Sequence, residues 1–471
     1  MKAARPVAAN SAPLFTPSHP IPPRAQLPRL QSLRVMLDNP IEGWPSAVYE
    51  EPIYVPPRRD FPLVYLCDPD AIRAVLVERA AFFPKGPLWM RLLKPLLGEG
   101  LLTAEGAHWR WQRHAAAPAF QPRQVLQCSD AIGAAAERAV ERWRRQAPGE
   151  TCDVAAEFVS ITFEVILDTM FGGREGYDVK AMSAAFARYV AELGKPTLLD
   201  LASAPRWLKR FTAPGANEAI DYLRAKVDDT IARRRREPPR GDLIDALLSA
   251  RDPETGRAMS DAELRDNLLT FLAGGHETTA LALTWAIFLL SQHPESQHRI
   301  YREVVSVAGA GAITAAHADE LQFTKQVIQE AMRLYPPLPA LSRVCRQDCE
   351  LAGRPTRRGE IVVIPTYALH RHRLYWDNPD CYDPDRFSPG SPLGARRYLY
   401  MPFGGGPRVC IGASFAMLEA TIILATLVRA ANFETIEGPP VRPLLRIALR
   451  PEHGLPTRVT LRRSEPKIRA A

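Results

Sequence analysis

The sequence predicts a mainly α protein with a small β region, and three observations carry that reading. A helical pattern opened by Ser260, with Glu263 completing a capping box, persists without proline until Pro294. Between about residues 106 and 300 most of the text is helical, as in GAHWRWQRHAAA, SDAIGAAAERAVERWRRQ and VAAEFVSITFEVILDTMFG. Strand-like text is short and sparse: PIYV from Pro52, FPLVYLCDP from Phe61 and a run around EIVVIP from Glu360.

Taken in order, the chain opens on proline. Residues 1–26 are expected to form an extended arm with polyproline II character, because proline fixes φ and removes a donor. Residues 27–471 carry no Gly/Ser linker, repeat or low-complexity tract and are expected to form one large domain. Paired strands follow from Pro52, then a helix from Asp70 in DAIRAVLVERA. The helix from Ser260 would be about 50 Å long at ~1.5 Å per residue, enough to cross the domain. After residue 318 come a helix through DELQFTKQVIQEAMRLYPP, a loop rich in Pro, Asp and Arg, a glycine loop, and a helix after Cys410.

Composition narrows the class. The 471 residues are 46% apolar and 24% charged, the balance of a globular protein rather than of a membrane bundle or fibre. A net charge of +8 is too thinly spread to argue nucleic acid, and the basic run Arg233–Arg236 with Arg240 lacks interleaved aromatic residues. It reads as a solvated helix end. Seven irregularly spaced cysteines argue against a disulfide framework and for a reducing cytoplasm. Pro6, Asn10 and Pro13 interrupt any export signal, and the apolar run Ala280–Leu290 falls short of the ~20 residues of a membrane span.

The most specific text is FGGGPRVCIG, Phe403 to Gly412. Three glycines and Pro407 make a tight loop of little bulk, and Cys410 follows at a helix start, where free N–H groups and the dipole favour a thiolate. A cysteine beside a glycine turn is, taken alone, an ordinary buried thiol. The ten-residue pattern Phe-x-x-Gly-x-Arg-x-Cys-x-Gly is far more demanding. It resembles the cysteine-ligand loop of the cytochrome P450 family.

Other segments resemble that family in turn. Glu330 and Arg333 form Glu-x-x-Arg, and Pro384-Asp385-Arg386-Phe387 resembles the Pro-Glu-Arg-Phe meander with Asp385 in place of glutamate. The resemblance implies a buried, structural triad of Glu330, Arg333 and Arg386. Phe271 to Thr279, FLAGGHETT, resembles the oxygen-binding stretch of the long helix. It implies that Ala273 and Gly274 lie against the cofactor, that Gly274 and Gly275 leave a groove for dioxygen, and that Glu277 and Thr278 deliver protons. His276-Glu277 has no second histidine at position 280, which is alanine, so a zinc motif is excluded. Trp109 and Arg113, one turn apart, resemble a clamp for haem propionates, and Arg343 and Arg408 stand at two further propionate-binding positions.

What the resemblance implies is a helical prism with a small β region, with haem b between the long central helix and the cysteine-ligand helix. Cys410 would be the iron ligand, with Phe403, Arg408 and Gly412 completing its loop. The implied activity is a monooxygenase that inserts one atom of dioxygen into a lipophilic substrate such as a fatty acid, terpenoid or polyketide. Substrate walls are expected at Phe82–Leu102 including Trp89, at Leu268–Phe271, and at Leu338–Leu341. No flavin or nicotinamide module is visible, and Gly309–Thr314 lacks the third glycine of a dinucleotide fingerprint. Electrons are therefore expected from NAD(P)H through a separate ferredoxin or flavodoxin with its reductase, docked on a basic face that includes Arg110, Arg396 and Arg397. The alternatives are a peroxygenase, against which the Glu277–Thr278 pair argues, and a noncatalytic haem sensor, for which no effector module is visible.

Overall fold

A computed structural model describes residues 14–58, 62–147, 150–201, 214–391 and 398–462. Arg396 and Arg397, and the arm up to residue 13, lie outside the described residues. The longer helices are α1 (Arg29–Asp38), α2 (Pro87–Leu97), α3 (Gly106–Ala116), α4 (Ser129–Arg144), α5 (Val154–Met170) and α6 (Val179–Leu193). They continue with α7 (Pro214–Arg234), α8 (Asp261–Gln292), α9 (Pro294–Ala308), α10 (Gln322–Leu334) and α11 (Ala413–Ala430).

The central element is α8, 32 residues started by the expected capping box: Ser260 Oγ accepts from the Glu263 N–H, and the Glu263 carboxylate accepts from the Ser260 N–H. It is apolar nearly all round, and such a helix is stable only when surrounded. It packs on α5, α7, α10 and α11. Trp285, buried in its second half, donates to the Leu449 carbonyl at 2.9 Å and stacks on Tyr335 with ring centroids 4.0 Å apart.

α11 lies against α4, α8, α9 and α10. Among the described residues it is the one helix long and apolar enough to cross a membrane by composition, yet its apolar residues Ile422–Leu427 are buried in the core. The stretch expected as one helix ending at Tyr335 breaks at Leu321 into Ala315–Glu320 and α10. Glu303 of α9 takes up the N–H groups freed by the break, accepting from Phe323 at 2.6 Å and Thr324 at 2.9 Å.

The β region is a four-stranded sheet in the order Ile53–Tyr54, Leu63–Leu66, Ile361–Ile364, Leu341–Val344. Val64 pairs with Val362 in parallel and Arg343 with Val362 antiparallel, which puts Arg343 in a fixed register. The sequence reading did not anticipate the C-terminal strands. Pro456–Leu461 pairs with Ala431–Thr435 and Thr151–Asp153, and Pro443–Arg446 with Ala448–Pro451. The described part of the proline-rich arm is extended and strapped to the domain: Phe15 packs against the His293 and Tyr382 rings, and the Tyr335 hydroxyl donates to the Ser18 carbonyl at 2.6 Å.

Candidate active site

The glycine loop delivers Cys410 to the start of α11. Gly404 and Gly406 have φ of 73° and 69°, and a Cβ at Gly406 would run into the Leu76 carbonyl, so glycine is required there twice over. The Cys410 N–H closes the loop on the Phe403 carbonyl at 2.9 Å. The sulfur lies deep among protein atoms yet is open to solvent on one side. Burial pushes the thiol up, while the Gly412 N–H and the Arg113 charge pull the other way and favour a thiolate. Arg113 is fixed by donating to the Val409 carbonyl at 2.8 Å.

On α8 the turn from Ala273 to Thr278 interrupts an otherwise buried helix. Gly274 is exposed there, and a Cβ placed on it would meet nothing within 4 Å, so among the described residues nothing covers this face of the central helix. Gly275 behaves differently. A Cβ on it would come within 2.6 Å of Ile166, so Gly275 permits the close approach of α5 and does not widen the groove expected of both glycines. His276 turns into the core between Phe163 and Phe186, with ring centroids 4.9 Å away in each case. Thr278 donates to the Gly274 carbonyl at 2.7 Å, and the Glu277 carboxylate is held in an ion pair by Arg450.

Cations gather beside the cysteine loop. Arg408 lies over the Trp109 ring at 4.4 Å, donates to the Ala104 carbonyl at 3.1 Å and pairs with Glu105. Arg343 is buried, and burial together with the Arg408 charge pushes it down to about 10. Lys85, missed by the sequence reading, stands 3.8 Å from Glu105 and donates to the Ala104 carbonyl at 3.1 Å. Burial, then Arg408 and Arg343, push it down to about 7. One carboxylate, Glu105, thus serves a cluster of crowded cations, a donor set suited to further anionic carboxylates.

The ion-pair motif closes as the resemblance implied. Arg333 donates to Glu330 at 2.7 and 2.8 Å, both side chains are fully buried, and Arg386 reaches Glu330 at 3.3 Å. Arg333 also ties down the carbonyls of His370, Pro379 and Cys381 at 2.9, 2.6 and 2.9 Å. Asp385, the departure from the meander pattern, points out to Arg299 at 2.9 Å and takes no part in the triad.

Of the expected substrate residues, Trp89, Leu338 and Leu341 are half-buried, and Leu341 reaches to 3.9 Å from where a Gly404 Cβ would stand. The start of α2 is pinned to the same sheet edge by the Gly86 N–H donating to the Ser342 carbonyl at 3.0 Å. Phe271 is a correction. It is buried and stacked on Phe120 at 5.5 Å, with the Phe120 ring in turn beside Gly412, so it belongs to the core and not to a substrate wall.

These groups fit haem: a thiol with thiolate-favouring neighbours, an uncovered turn of the central helix, and cations in excess of their own carboxylate. A family model described as cytochrome P450 matches residues 51–455. The chain belongs to the cytochrome P450 family. It is a haem-dependent monooxygenase with the P450 fold. Cyclooctatin synthase of Streptomyces melanosporofaciens is 33% identical over 393 residues, 82% of this chain and 84% of that protein. Cyclooctat-9-en-7-ol 5-monooxygenase of the same organism is 30% identical, covering 79% of this chain and 80% of that protein. Human cytochrome P450 4F12 is 30% identical over 448 residues, 88% of this chain and 83% of that protein.

Three residues of this P450 site escaped the sequence reading: Lys85, Glu105 and Arg450. Each acts through a partner far along the chain, and none stands in a spacing that marks it.

Proposed function

We propose that this cytochrome P450 oxygenates an apolar cyclic or long-chain molecule of the terpenoid, fatty acid or polyketide class, with electrons from NAD(P)H through a separate ferredoxin or flavodoxin. The observation that carries the reading is the Cys410 thiol, open on one side at the start of α11, together with the uncovered Gly274 turn on α8. Bound haem would supply dioxygen binding and the oxygen atom that enters a C–H or C=C bond. Cys410 would hold its iron, with the Gly412 N–H and the Arg113 charge favouring the thiolate. Arg408, Arg343, Lys85 and Arg113 would neutralise its propionates, with the Trp109 ring packed against Arg408.

On the distal side, Thr278 holds its hydroxyl at the edge of the groove. Rotated away from the Gly274 carbonyl, it can donate to a ligand there. Arg450 fixes the Glu277 carboxylate one residue away, where it passes protons in from solvent. Trp89, Leu338, Leu341 and Ala273 present apolar surface to the substrate. The two Streptomyces relatives, one named for acting at position 5 of an alkenol, support a cyclic lipophilic substrate. Seven free thiols support a cytoplasmic setting, and α11, the one described helix apolar enough to span a membrane, is buried in the core.

The test is Thr278→Ala in a reconstituted system with a substrate that shifts the haem spin state. NAD(P)H consumption is expected to continue while hydrogen peroxide rises and product per NAD(P)H falls several-fold. Glu277→Gln should instead slow the whole cycle. An unchanged product ratio in Thr278→Ala would overturn the distal assignment.

A further inference from the structure

Two thiols meet just beyond the strand that carries Arg343. The chain leaves the sheet after Val344 at Cys345 and becomes a strand again at Cys349, which pairs with Thr356 in the hairpin of Cys349–Leu351 and Arg354–Thr356. One segment, residues 356–360, holds both ends of this turn. The Cys345 N–H donates to the Glu360 carbonyl at 2.9 Å, and the Cys345 carbonyl accepts from the Gly359 N–H at 2.8 Å. The side chains share one apolar cluster, Cys345 buried in it and Cys349 half-buried at its edge, with the two thiols in hydrogen-bond contact.

The same turn grips the segment ahead of α2. The Val344 N–H donates to the Pro84 carbonyl and the Arg346 N–H to the Phe82 carbonyl, both at 2.9 Å, and Lys85 bridges to Arg343 between them. Inside the turn, the Cys345 thiol donates to the Gln347 carbonyl at 2.9 Å. The backbone that sets Lys85 and Arg343 is therefore tied to a turn that a thiol proton holds.

We propose that Cys345 and Cys349 are a reversible thiol–disulfide site closed by hydrogen peroxide, and that closing it loosens the cation cluster on the adjoining strand. Cys349, the more accessible sulfur, attacks peroxide as its thiolate: a sulfur–oxygen bond forms, the O–O bond breaks and hydroxide leaves. Cys345, whose thiol burial pushes up to about 11, stays protonated until it meets the sulfenic acid so formed. Its sulfur then displaces the sulfenic oxygen. With the two thiol protons, both peroxide oxygens leave as water, the sulfurs having given up two electrons and the peroxide taken them. The disulfide has no proton for the Gln347 carbonyl, so the turn shifts and pulls on the Phe82 and Pro84 anchors. A transient bond of this kind suits a reducing compartment, where a thiol reductant reopens it. The loosening rests on the propionate reading given above; the disulfide does not.

Holoenzyme treated with a small excess of hydrogen peroxide, alkylated and digested with trypsin should yield the peptides on either side of Arg346 joined to each other. They should weigh two hydrogens less than their sum and separate with dithiothreitol. Cys349→Ser should give no joined pair while keeping the reduced carbon monoxide spectrum, since that side chain sits at a cluster edge. Diamide, an azo oxidant that takes up the same two hydrogens, should speed haem transfer to an acceptor protein several-fold in wild type and not in Cys349→Ser, and dithiothreitol should reverse it. Peptides that stay separate and alkylated at both cysteines would overturn the site. Joined peptides with unchanged haem transfer would overturn the loosening, and Arg408→Glu run alongside tells why: faster transfer there leaves the propionate reading standing, whereas unchanged transfer removes that reading as well.

Discussion

Replacing Arg333 with alanine is expected to cost about 3–5 kcal/mol and to yield a chain that no longer retains haem. The magnitude follows from burial. Arg333 and Glu330 are both fully buried, so removing the guanidinium strands a carboxylate without its main partner. It also frees the carbonyls of His370, Pro379 and Cys381, three points at which the segment ahead of the cysteine loop is anchored. Arg386 remains, but at 3.3 Å it meets Glu330 through one contact and cannot replace a two-point grip. Arg333→Lys should fall between, because an ammonium cannot reach the carboxylate and the three carbonyls at once. Thermal midpoint and haem per chain are the readouts. An Arg333→Ala protein with wild-type midpoint and full haem content would mean that the triad braces nothing.

Charge reversal at Arg408 should have a comparably large effect by a different route. Arg408→Glu sets a second carboxylate beside Glu105 and removes the guanidinium over Trp109. Two cations, Lys85 and Arg343, would then be shared between two protein carboxylates instead of meeting a ligand's. Loss of one partner of a buried charge pair costs at least about 2 kcal/mol, so haem retention measured by transfer to an acceptor protein should weaken at least about thirtyfold. Folding should survive, since Arg408 is half-buried and the one buried carbonyl it ties down, that of Ala104, also accepts from Lys85. Undiminished haem retention would take Arg408 out of the propionate site.

How much of this was legible in the sequence follows the range of the interaction involved. The capping box at Ser260 and Glu263 is local chemistry, and α8 begins where it predicts. The cysteine loop and Glu330-x-x-Arg333 carry spacing that survives translation into geometry, and both close in the structure. The rotation of α8 was not readable, because a helix buried on nearly every side has no apolar stripe to orient it. Phe271 was therefore assigned to the substrate wall although it faces Phe120, and Gly275 to the groove although it faces Ile166. Lys85, Glu105 and Arg450 depend on partners from other elements, and no spacing in the sequence reveals those partners. The C-terminal strands are short and mixed in polarity, and only pairing with distant segments makes them strands.

The central claim, that Cys410 and no other of the seven cysteines is the iron ligand of this P450, is tested most directly by the reduced carbon monoxide spectrum. Wild-type protein should give the strongly red-shifted Soret band of thiolate ligation, and Cys410→His should lose it while Cys345→Ser keeps it. Retention of the band in Cys410→His, or its loss in Cys345→Ser, would contradict the assignment.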